Sequence, residues 1–288
     1  MSEPALAELL RRGVDLLSRA RVPSPQADAE LLLGHVLGFS RGELQAKALV
    51  GAQASSERAR AFLDAVERRA AREPLQHITG VAAFRHLQLR VGPGVFVPRP
   101  ETETVAQLAI DALLAVPSPA PVAIDLGTGS GAIALALATE VAHARVIAVE
   151  NSARAFVWAR ENAAAVGVSN LRLVFDDLAH CLPDLEGAAD VVVSNPPYIP
   201  DDAVPRDPEV RLHDPAAALY GGPDGLDVVR ALSHRALTFL RPGGALILEH
   251  GEQQGRALRT LLAADGWRDP VTHKDLTRRD RATTATRP

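Results

Sequence analysis

A side-chain amide, two prolines and an aromatic ring stand together at Asn195-Pro196-Pro197-Tyr198, directly after the apolar run Val191-Val192-Val193-Ser194. A short β-branched run of this kind reads as a buried strand, so the four residues sit where a strand ends. Proline has no N–H and a fixed φ, and two in succession give a stiff backbone whose carbonyls are free to accept hydrogen bonds. An amide oxygen, backbone carbonyls and one aromatic face, held rigidly, suit a flat group that carries an NH2. A proline-rich turn that only closes the strand has the same composition, and these residues by themselves do not decide between the two.

A second stretch, Asp125-Leu126-Gly127-Thr128-Gly129-Ser130-Gly131, joins an apolar run over residues 122–126 to a helix-period segment. Glycines let a backbone approach a ligand closely, and a helix N-terminus favours negative charge. Glu150 closes the next apolar run, 23 residues after Gly127, where a carboxylate can accept from both hydroxyls of a ribose. The pair indicates an adenosine-containing cofactor. Gly127-x-Gly129-x-x-Ala132 also meets the relaxed dinucleotide fingerprint, so NAD stays open on these residues. Asp125 leans towards S-adenosylmethionine, whose ammonium an acid at the strand end could meet; its plainer role is to cap the loop or the helix. Asp176-Asp177 follows a third run, where an acid would bond an adenine amino group or simply form a solvated turn.

These side chains need a frame. Strand-like segments near 122–126, 145–150, 171–175, 190–194 and 244–249 alternate with helix-like segments near 131–139, 152–165, 226–240 and 252–264. Such alternation predicts an α/β fold, a mainly parallel sheet with helices on both faces and ligands at the C-terminal strand ends. Residues 1 to about 73 carry a helical period instead. Leu6, Leu9, Leu10, Leu16 and Leu17 form one stripe, Ser24-Pro25 opens a second helix, and Ser40-Arg41-Gly42-Glu43 has the capping-box spacing. Residues 57–72 set Phe62, Leu63 and Val66 on one side and stop before Pro74. Leu87, Leu89 and Val91 then alternate with polar residues, Gly92-Pro93-Gly94 turns, and Val95-Phe96-Val97 returns, which predicts a linking β-hairpin. The expected boundaries are a small helical bundle over 1–80, a hairpin linker over 81–99 and a sheet domain over 100–288. Residues 281–286 are poor in aliphatics, so the last strand is expected to be weak.

Residues 199–225 make a long loop rich in Pro, Asp and Gly, the kind that often acts as a lid. Glu209, Arg211 and Asp214 are expected to order it by ion pairs, and Arg99, Glu101 and Glu103 to make contacts at the domain junction. His77, His213 and His250 are read as structural.

The 288 residues are 47% hydrophobic and 23% charged, which bounds a globular chain with room for two domains. No apolar run is long enough to span a bilayer, and Met1-Ser2-Glu3-Pro4 does not open a secretion signal. Cys181 is the single cysteine, which excludes an internal disulfide and fits a reducing cytoplasm. The nine histidines lack ligand-type spacing, so no metal is expected. Residues 1–100 hold 14 Lys and Arg against 10 Asp and Glu, and the remainder 17 against 25, a balance of +4 against −8. A dedicated nucleic-acid binder shows a strong basic bias, which is missing here.

Asp125 to Gly131, Glu150 and Asn195 to Tyr198 together resemble the class I S-adenosylmethionine-dependent methyltransferases, a Rossmann-like fold, that modify planar nitrogens. The pattern is most similar to the peptide-chain release factor glutamine methyltransferases (the HemK/PrmC type). Glu73-Pro74-Leu75-Gln76-His77-Ile78-Thr79-Gly80, Phe96-Val97-Pro98-Arg99-Pro100-Glu101-Thr102-Glu103, Ala218-Leu219-Tyr220-Gly221-Gly222-Pro223-Asp224-Gly225-Leu226 and Glu249-His250-Gly251 match further blocks, and the likeness covers about residues 5–280. It implies S-adenosyl-L-methionine as cofactor, S-adenosyl-L-homocysteine as product and no metal. The cofactor would lie on Asp125, Gly127, Thr128, Gly129, Ser130, Gly131, Glu150, Asp177, Leu178 and Asn195. The target amide would lie on Asn195, Pro196, Pro197 and Tyr198. Leu178 stands where some members carry an aromatic, and Glu150 keeps a carboxylate where others have Asp.

The implied activity is methylation of the glutamine amide nitrogen in the Gly-Gly-Gln loop of class I release factors, in support of translation termination. The implied enzyme is a cytoplasmic monomer whose helical bundle binds the substrate protein, with no membrane and no direct nucleic-acid contact. An adenine amino-group methyltransferase acting on DNA or RNA would use the same Asn195 to Tyr198; the acidic balance of the second part argues against it. A non-catalytic adenosine-binding module would have no use for an amide cage, and hydride transfer to NAD gives Asn195 to Tyr198 no role.

Overall fold

The computed structural model describes residues 3–178 and 180–288; of the N-terminal segment read above, Met1 and Ser2 lie outside them. A helical unit comes first, with α1 (Leu6–Arg19), α2 (Pro25–Leu37), α3 (Arg41–Leu49), α4 (Ser56–Ala70) and a single turn, α5 (Leu75–Thr79). Leu6, Leu9 and Leu17 of α1 pack with Leu32, Leu33, Leu44, Phe62 and Val66. Leu16, expected in the α1 stripe, is 38% exposed, and Leu10 is only partly buried. Adjacent helical positions diverge by about 100°, so Leu17 faces the core and Leu16 does not. The capping box of α3 forms as its spacing predicts: Ser40 Oγ accepts from the Glu43 amide and Glu43 Oε2 accepts from the Ser40 amide. α5 falls in a stretch where no helix is expected and is closed by Gly80 at φ 74.

The linking hairpin exists, but one strand earlier than its sequence suggests. β1 (Val81–Phe84) pairs with β2 (Leu87–Arg90) around Arg85-His86, with Arg85 at φ 52. Val95 and Val97 form no strand. Flanking Pro93 and Pro98 remove backbone donors from that segment, and it is held by side chains instead, Val91, Val95 and Val97 packing with Ala155 and Trp158.

The sheet unit continues with α6 (Thr102–Leu114), β3 (Val122–Leu126), α7 (Ala132–Glu140), β4 (Arg145–Glu150), α8 (Ala153–Val166), β5 (Leu171–Phe175) and β6 (Ala189–Ser194). After the short α9 (Pro208–His213) come α10 (Asp227–Phe239), β7 (Leu240–Glu249), α11 (Gly255–Ala264), β8 (Arg268–Lys274) and β9 (Asp280–Thr286). Among the described residues seven strands form one sheet, in the order β5-β4-β3-β6-β7-β9-β8. The first five are parallel, while β9 runs antiparallel to both β7 and β8. Successive residues of a strand face opposite sides, so a strand covered on both faces is apolar throughout. Thus Val191 and Val193 of β6 join the core under α6 and α7, and Val192 joins the core under α10 and α11.

The last strand is complete, against the expectation from residues 281–286. It lies between β7 and β8, so its backbone pairs on both edges, and in that enclosed place Ala282, Thr283 and Ala285 are buried without needing bulk. The small side chains that made it look weak are the ones its position admits.

Chain order reverses at β3: β4 and β5 extend the sheet to one side, and the chain then returns to lay β6 and β7 on the other. This reversal makes the C-terminal ends of β3 and β6 the switch point, where such sheets bind ligands. The Ser194 hydroxyl donates to the Leu126 carbonyl at 2.6 Å and ties the two ends together.

The chain leaves the sheet unit after Pro205 and rejoins it at Asp214; Arg206–His213, which holds α9, belongs to the helical unit. There Glu209 pairs with Arg69 at 2.8 Å and with Arg72 at 2.7 Å, while Arg69 also holds the buried Asp28 at 2.7 Å. Among the described residues no helix is long and apolar enough to cross a membrane.

Candidate active site

Asp125 is the penultimate residue of β3, and Gly127, Gly129 and Gly131 follow at φ 73, 60 and 86. A Cβ at Gly127 or Gly129 would meet nothing within 4 Å, so that side of the loop is open; at Gly131 it would meet Leu135 and the Ala159 backbone. The loop therefore has one face packed against α7 and α8 and one face bare. Its conformation is fixed by β4: the Gly127 and Thr128 amides donate to the Val149 carbonyl at 2.9 and 3.0 Å, and the Gly129 amide donates to Glu150 Oε2 at 2.8 Å. The other oxygen of Glu150 accepts from the Ser152 amide at 2.8 Å.

Asp125 is buried, and its two oxygens differ. Oδ2 accepts from Thr128 Oγ1 at 2.6 Å and from the Ala134 amide at 3.1 Å, whereas Oδ1 is buried with no hydrogen-bond partner among the described residues. Burial pushes the carboxyl up to about 7; the Thr128 and Ala134 hydrogen bonds oppose this and the Glu150 charge adds to it. Both readings of Asp125 thus find an atom: Oδ2 caps the loop and helix, and Oδ1 is left to take a cation or a donor. Asp177 is exposed and accepts from Asn151 Nδ2 at 2.9 Å, and Leu178 packs partly buried beside the cluster that contains Ile124 and Leu126. Asp125, Glu150 and Asp177 are all acceptors, which suits a ligand that offers an ammonium, ribose hydroxyls and an adenine amino group.

At the neighbouring strand end, Asn195 is half-buried and donates Nδ2 to Thr102 Oγ1 at 3.4 Å; Pro196 is buried, Pro197 and Tyr198 partly so. The backbone of this turn is clamped from outside. Gln254 Nε2 donates to the Tyr198 carbonyl at 2.9 Å, the Ile199 amide to the Leu219 carbonyl at 2.8 Å, and the Gly221 amide to the Ile199 carbonyl at 2.9 Å. The glycines of Gly221–Gly225 are needed for close approach: a Cβ at Gly221 would strike the Pro197 carbonyl, and at Gly225, where φ is +74, the Tyr198 carbonyl. Burial and the Glu249 charge push the Tyr198 phenol well above its ordinary value.

Of the other side chains singled out in the sequence, Asp214 pairs with Arg99 at 2.7 Å and Glu209 with Arg69 and Arg72, while Arg211 is exposed. The Arg99 guanidinium also stacks over the Phe96 ring, 5.1 Å from its centroid. Glu103 accepts from the Arg85 amide at 2.9 Å. His250 is buried between the Gly251 carbonyl and the Thr283 hydroxyl, at 2.8 and 2.9 Å, and burial lowers its pKa. Residue types and spacing give Gln254 and Arg281 no role, and Thr102 and Glu249 stand only as members of matched blocks. Thr102 meets Asn195, 93 residues away, and Gln254 meets the Tyr198 carbonyl, 56 residues away, and no local pattern marks such a pairing.

The family model described as the PrmC N-terminal domain matches residues 8–80, and the one described as the methyltransferase small domain matches residues 86–217. A protein of Streptomyces coelicolor named release factor glutamine methyltransferase is 48% identical over 271 residues, 93% of this chain and 93% of its own. Proteins of the same name from Mycolicibacterium smegmatis and Deinococcus radiodurans are 47% and 44% identical, covering 94% of both chains and 98% of both chains. Among solved structures, a methyltransferase from Pyrococcus furiosus superposes with a TM-score of 0.50 at 22% identity, over 71% of this chain and 90% of its own. The hMettl16 catalytic domain, solved in complex with MAT2A 3'UTR hairpin 6, superposes with a TM-score of 0.57 at 18% identity, over 78% of this chain and 82% of its own. These structures share the fold.

Proposed function

The chain belongs to the release factor glutamine methyltransferases, and on that footing we propose that it transfers a methyl group from S-adenosyl-L-methionine to the side-chain amide nitrogen of the glutamine in the Gly-Gly-Gln loop of class I release factors. The observation that carries the reading is the orientation of Asn195. Its Nδ2 is turned to Thr102, which leaves Oδ1 as an acceptor at the strand end next to the glycine loop.

The residues of the β3 end fit the cofactor. The unpartnered Asp125 Oδ1 would take its ammonium, the open face of Gly127–Gly131 would lie along it, Glu150 would take the ribose hydroxyls, and Asp177 with Leu178 would border the adenine. When bound, S-adenosylmethionine supplies an electrophilic methyl group on a sulfonium. No metal enters this reading.

An amide nitrogen is a poor nucleophile because its lone pair is delocalised into the carbonyl. The work of the protein is therefore positioning. Asn195 Oδ1 and the Pro196 carbonyl accept the two N–H bonds of the target amide, which fixes its rotation and aims the lone pair. Tyr198 packs on the amide plane, and the stiffness of Pro196-Pro197 keeps the acceptors from relaxing. Positioning of this kind is worth several kcal/mol, up to roughly 7–11. No strong base is required beforehand, since the nitrogen becomes acidic once it carries the methyl group. The enzyme works in the cytoplasm as a single chain, with residues 1–80 taking the release factor and residues 100–288 carrying the chemistry. The net +4 over residues 1–100 and −8 over the rest favour a protein substrate over a polyanion at the site.

The test is transfer of labelled methyl from the cofactor to purified release factor and, separately, to nucleic acid. Label in the release factor, lost when its loop glutamine is replaced, is the expected outcome. Label in nucleic acid alone overturns the reading in favour of an adenine methyltransferase.

A further inference from the structure

Glu249 has no part in the mechanism above and Thr102 enters it only as the partner of Asn195 Nδ2, yet the fold brings both to Asn195 and Tyr198. Thr102 opens α6, is 4% exposed, and its Oγ1 stands 3.4 Å from Asn195 Nδ2. Glu249 ends β7, the strand beside β6, where Leu248 lies opposite Ser194, and is 1% exposed. Its carboxyl faces the hydroxyls of Thr102 and Tyr198, the Arg281 guanidinium and the Glu101 carboxyl, and its Oε2 has no hydrogen-bond partner among the described residues. Arg281 is itself held by the buried Asp275 at 3.4 Å.

The hydrogen-bond inventory decides what this cluster does. A threonine hydroxyl has one proton and two lone pairs, and an ionised carboxylate only accepts. A Thr102 hydroxyl whose one proton is turned to Glu249 can only accept from Asn195. Asn195 must then present Nδ2 to Thr102 and turn Oδ1 outward. The two ends of an asparagine amide have nearly the same shape, so packing alone does not choose between them; the hydrogen-bond partner does.

We propose, resting on the functional reading above, that Thr102 and Glu249 are positioning residues that fix the amide of Asn195 with its oxygen towards the target N–H group. If the amide flips, Asn195 offers N–H to N–H, and the target nitrogen is turned away rather than aimed. Glu249→Gln produces that situation with almost no change of shape. A glutamine amide can donate to Thr102, the Thr102 proton is then free to go to Asn195 Oδ1, and the flipped amide is satisfied. Burial pushes Glu249 up to about 7, against the pull of Thr102, Arg281 and Tyr198, so the comparison belongs at about pH 8.5, where it is ionised.

The experiment measures kcat and KM on release factor, together with calorimetric affinity for S-adenosylmethionine and Tm, for the wild type, Thr102→Val, Thr102→Ser and Glu249→Gln. Thr102→Val is expected to lower kcat about 30-fold, with KM and cofactor affinity within about threefold of wild type. Thr102→Ser, which keeps the hydroxyl, restores kcat to within about threefold. Glu249→Gln falls at least as far as Thr102→Val, and a variant carrying both Thr102→Val and Glu249→Gln, measured alongside, falls no further than Glu249→Gln alone, because both act through one amide. Thr102→Val turnover within about threefold of wild type, or Thr102→Ser as poor as Thr102→Val, overturns the proposal. Should Glu249→Gln fail to fold, the Val and Ser pair still decides. A wild-type enzyme that does not methylate release factor overturns the functional reading itself, and this inference with it.

Discussion

Two adjacent strand ends in this molecule are held in opposite ways. The end of β3 is fixed by its near neighbours in sequence: Asp125 binds Thr128 three residues on and Ala134 nine residues on, and Gly129 binds Glu150, 21 residues away. The end of β6 is fixed from afar, with Asn195 on Thr102, 93 residues away, and Tyr198 on Gln254, 56 residues away. The first is a local arrangement within one βαβ unit. The second exists only when the linker, the glycine turn and the last strands have all come together. Cofactor affinity should therefore answer to the β3 end, and turnover to the β6 end and its distant supports.

The largest separation is expected for Asn195→Ala: turnover falls about 10³-fold, through loss of one acceptor and misalignment, while calorimetric affinity for S-adenosylmethionine changes little. Comparable losses in both quantities would break the contrast. Next comes Gly225→Ala, which forces a Cβ against the Tyr198 carbonyl at a backbone φ of +74. It should lower turnover roughly 10²-fold by shifting the turn, and lower Tm by several degrees, again with the cofactor still bound. Glu150→Ala tests the other end: cofactor affinity should weaken about 10- to 100-fold, with turnover at saturating cofactor largely kept. Unchanged affinity would remove Glu150 from the site.

The smallest effect is a pH dependence. The buried Asp125 carboxyl titrates near 7 in the folded chain against an ordinary 3.8, so the native state holds its proton more tightly than the unfolded chain does. Stability from this group is present at low pH and lost as pH rises from about 4 to about 7. Asp125→Asn should flatten the decline of Tm across that interval, leaving the share due to Glu249, which is raised in the same direction. A slope equal to that of wild type would show that Asp125 ionises normally.

The same contrast explains what could be read from the sequence. Asp125 to Gly131 and Glu150 were legible because the loop and its acid are near each other in the chain and their spacing is the signal. Asn195 to Tyr198 were legible as a group that could hold something flat, but not the reason they stay where they are. Thr102 and Glu249 stand in matched blocks, and nothing near either of them in the chain marks its partner. The hairpin was misplaced because apolar Val95 and Val97 suggest a strand, whereas the missing N–H groups of Pro93 and Pro98 leave them to side-chain packing. The final strand looks weak by the hydrophobicity of its Thr and Ala, while their place between β7 and β8 asks for pairing on two edges and little volume. Leu16 and Leu17 could not both face inward, and only the fold said which did.

The membership of α9 in the helical unit bears on how this enzyme can be recombined. Arg69 is 8% exposed and Arg72 18% exposed, and the carboxylate that serves both comes from Glu209, more than a hundred residues beyond the last helix of the bundle. A cassette cut at residue 80 carries two enclosed guanidinium groups into its new host without that carboxylate, and a recipient sheet domain contributes a Glu209 with nothing to meet. The natural unit of exchange is thus the bundle together with the Pro205–Asp214 crossing, two pieces of sequence that have to travel as one.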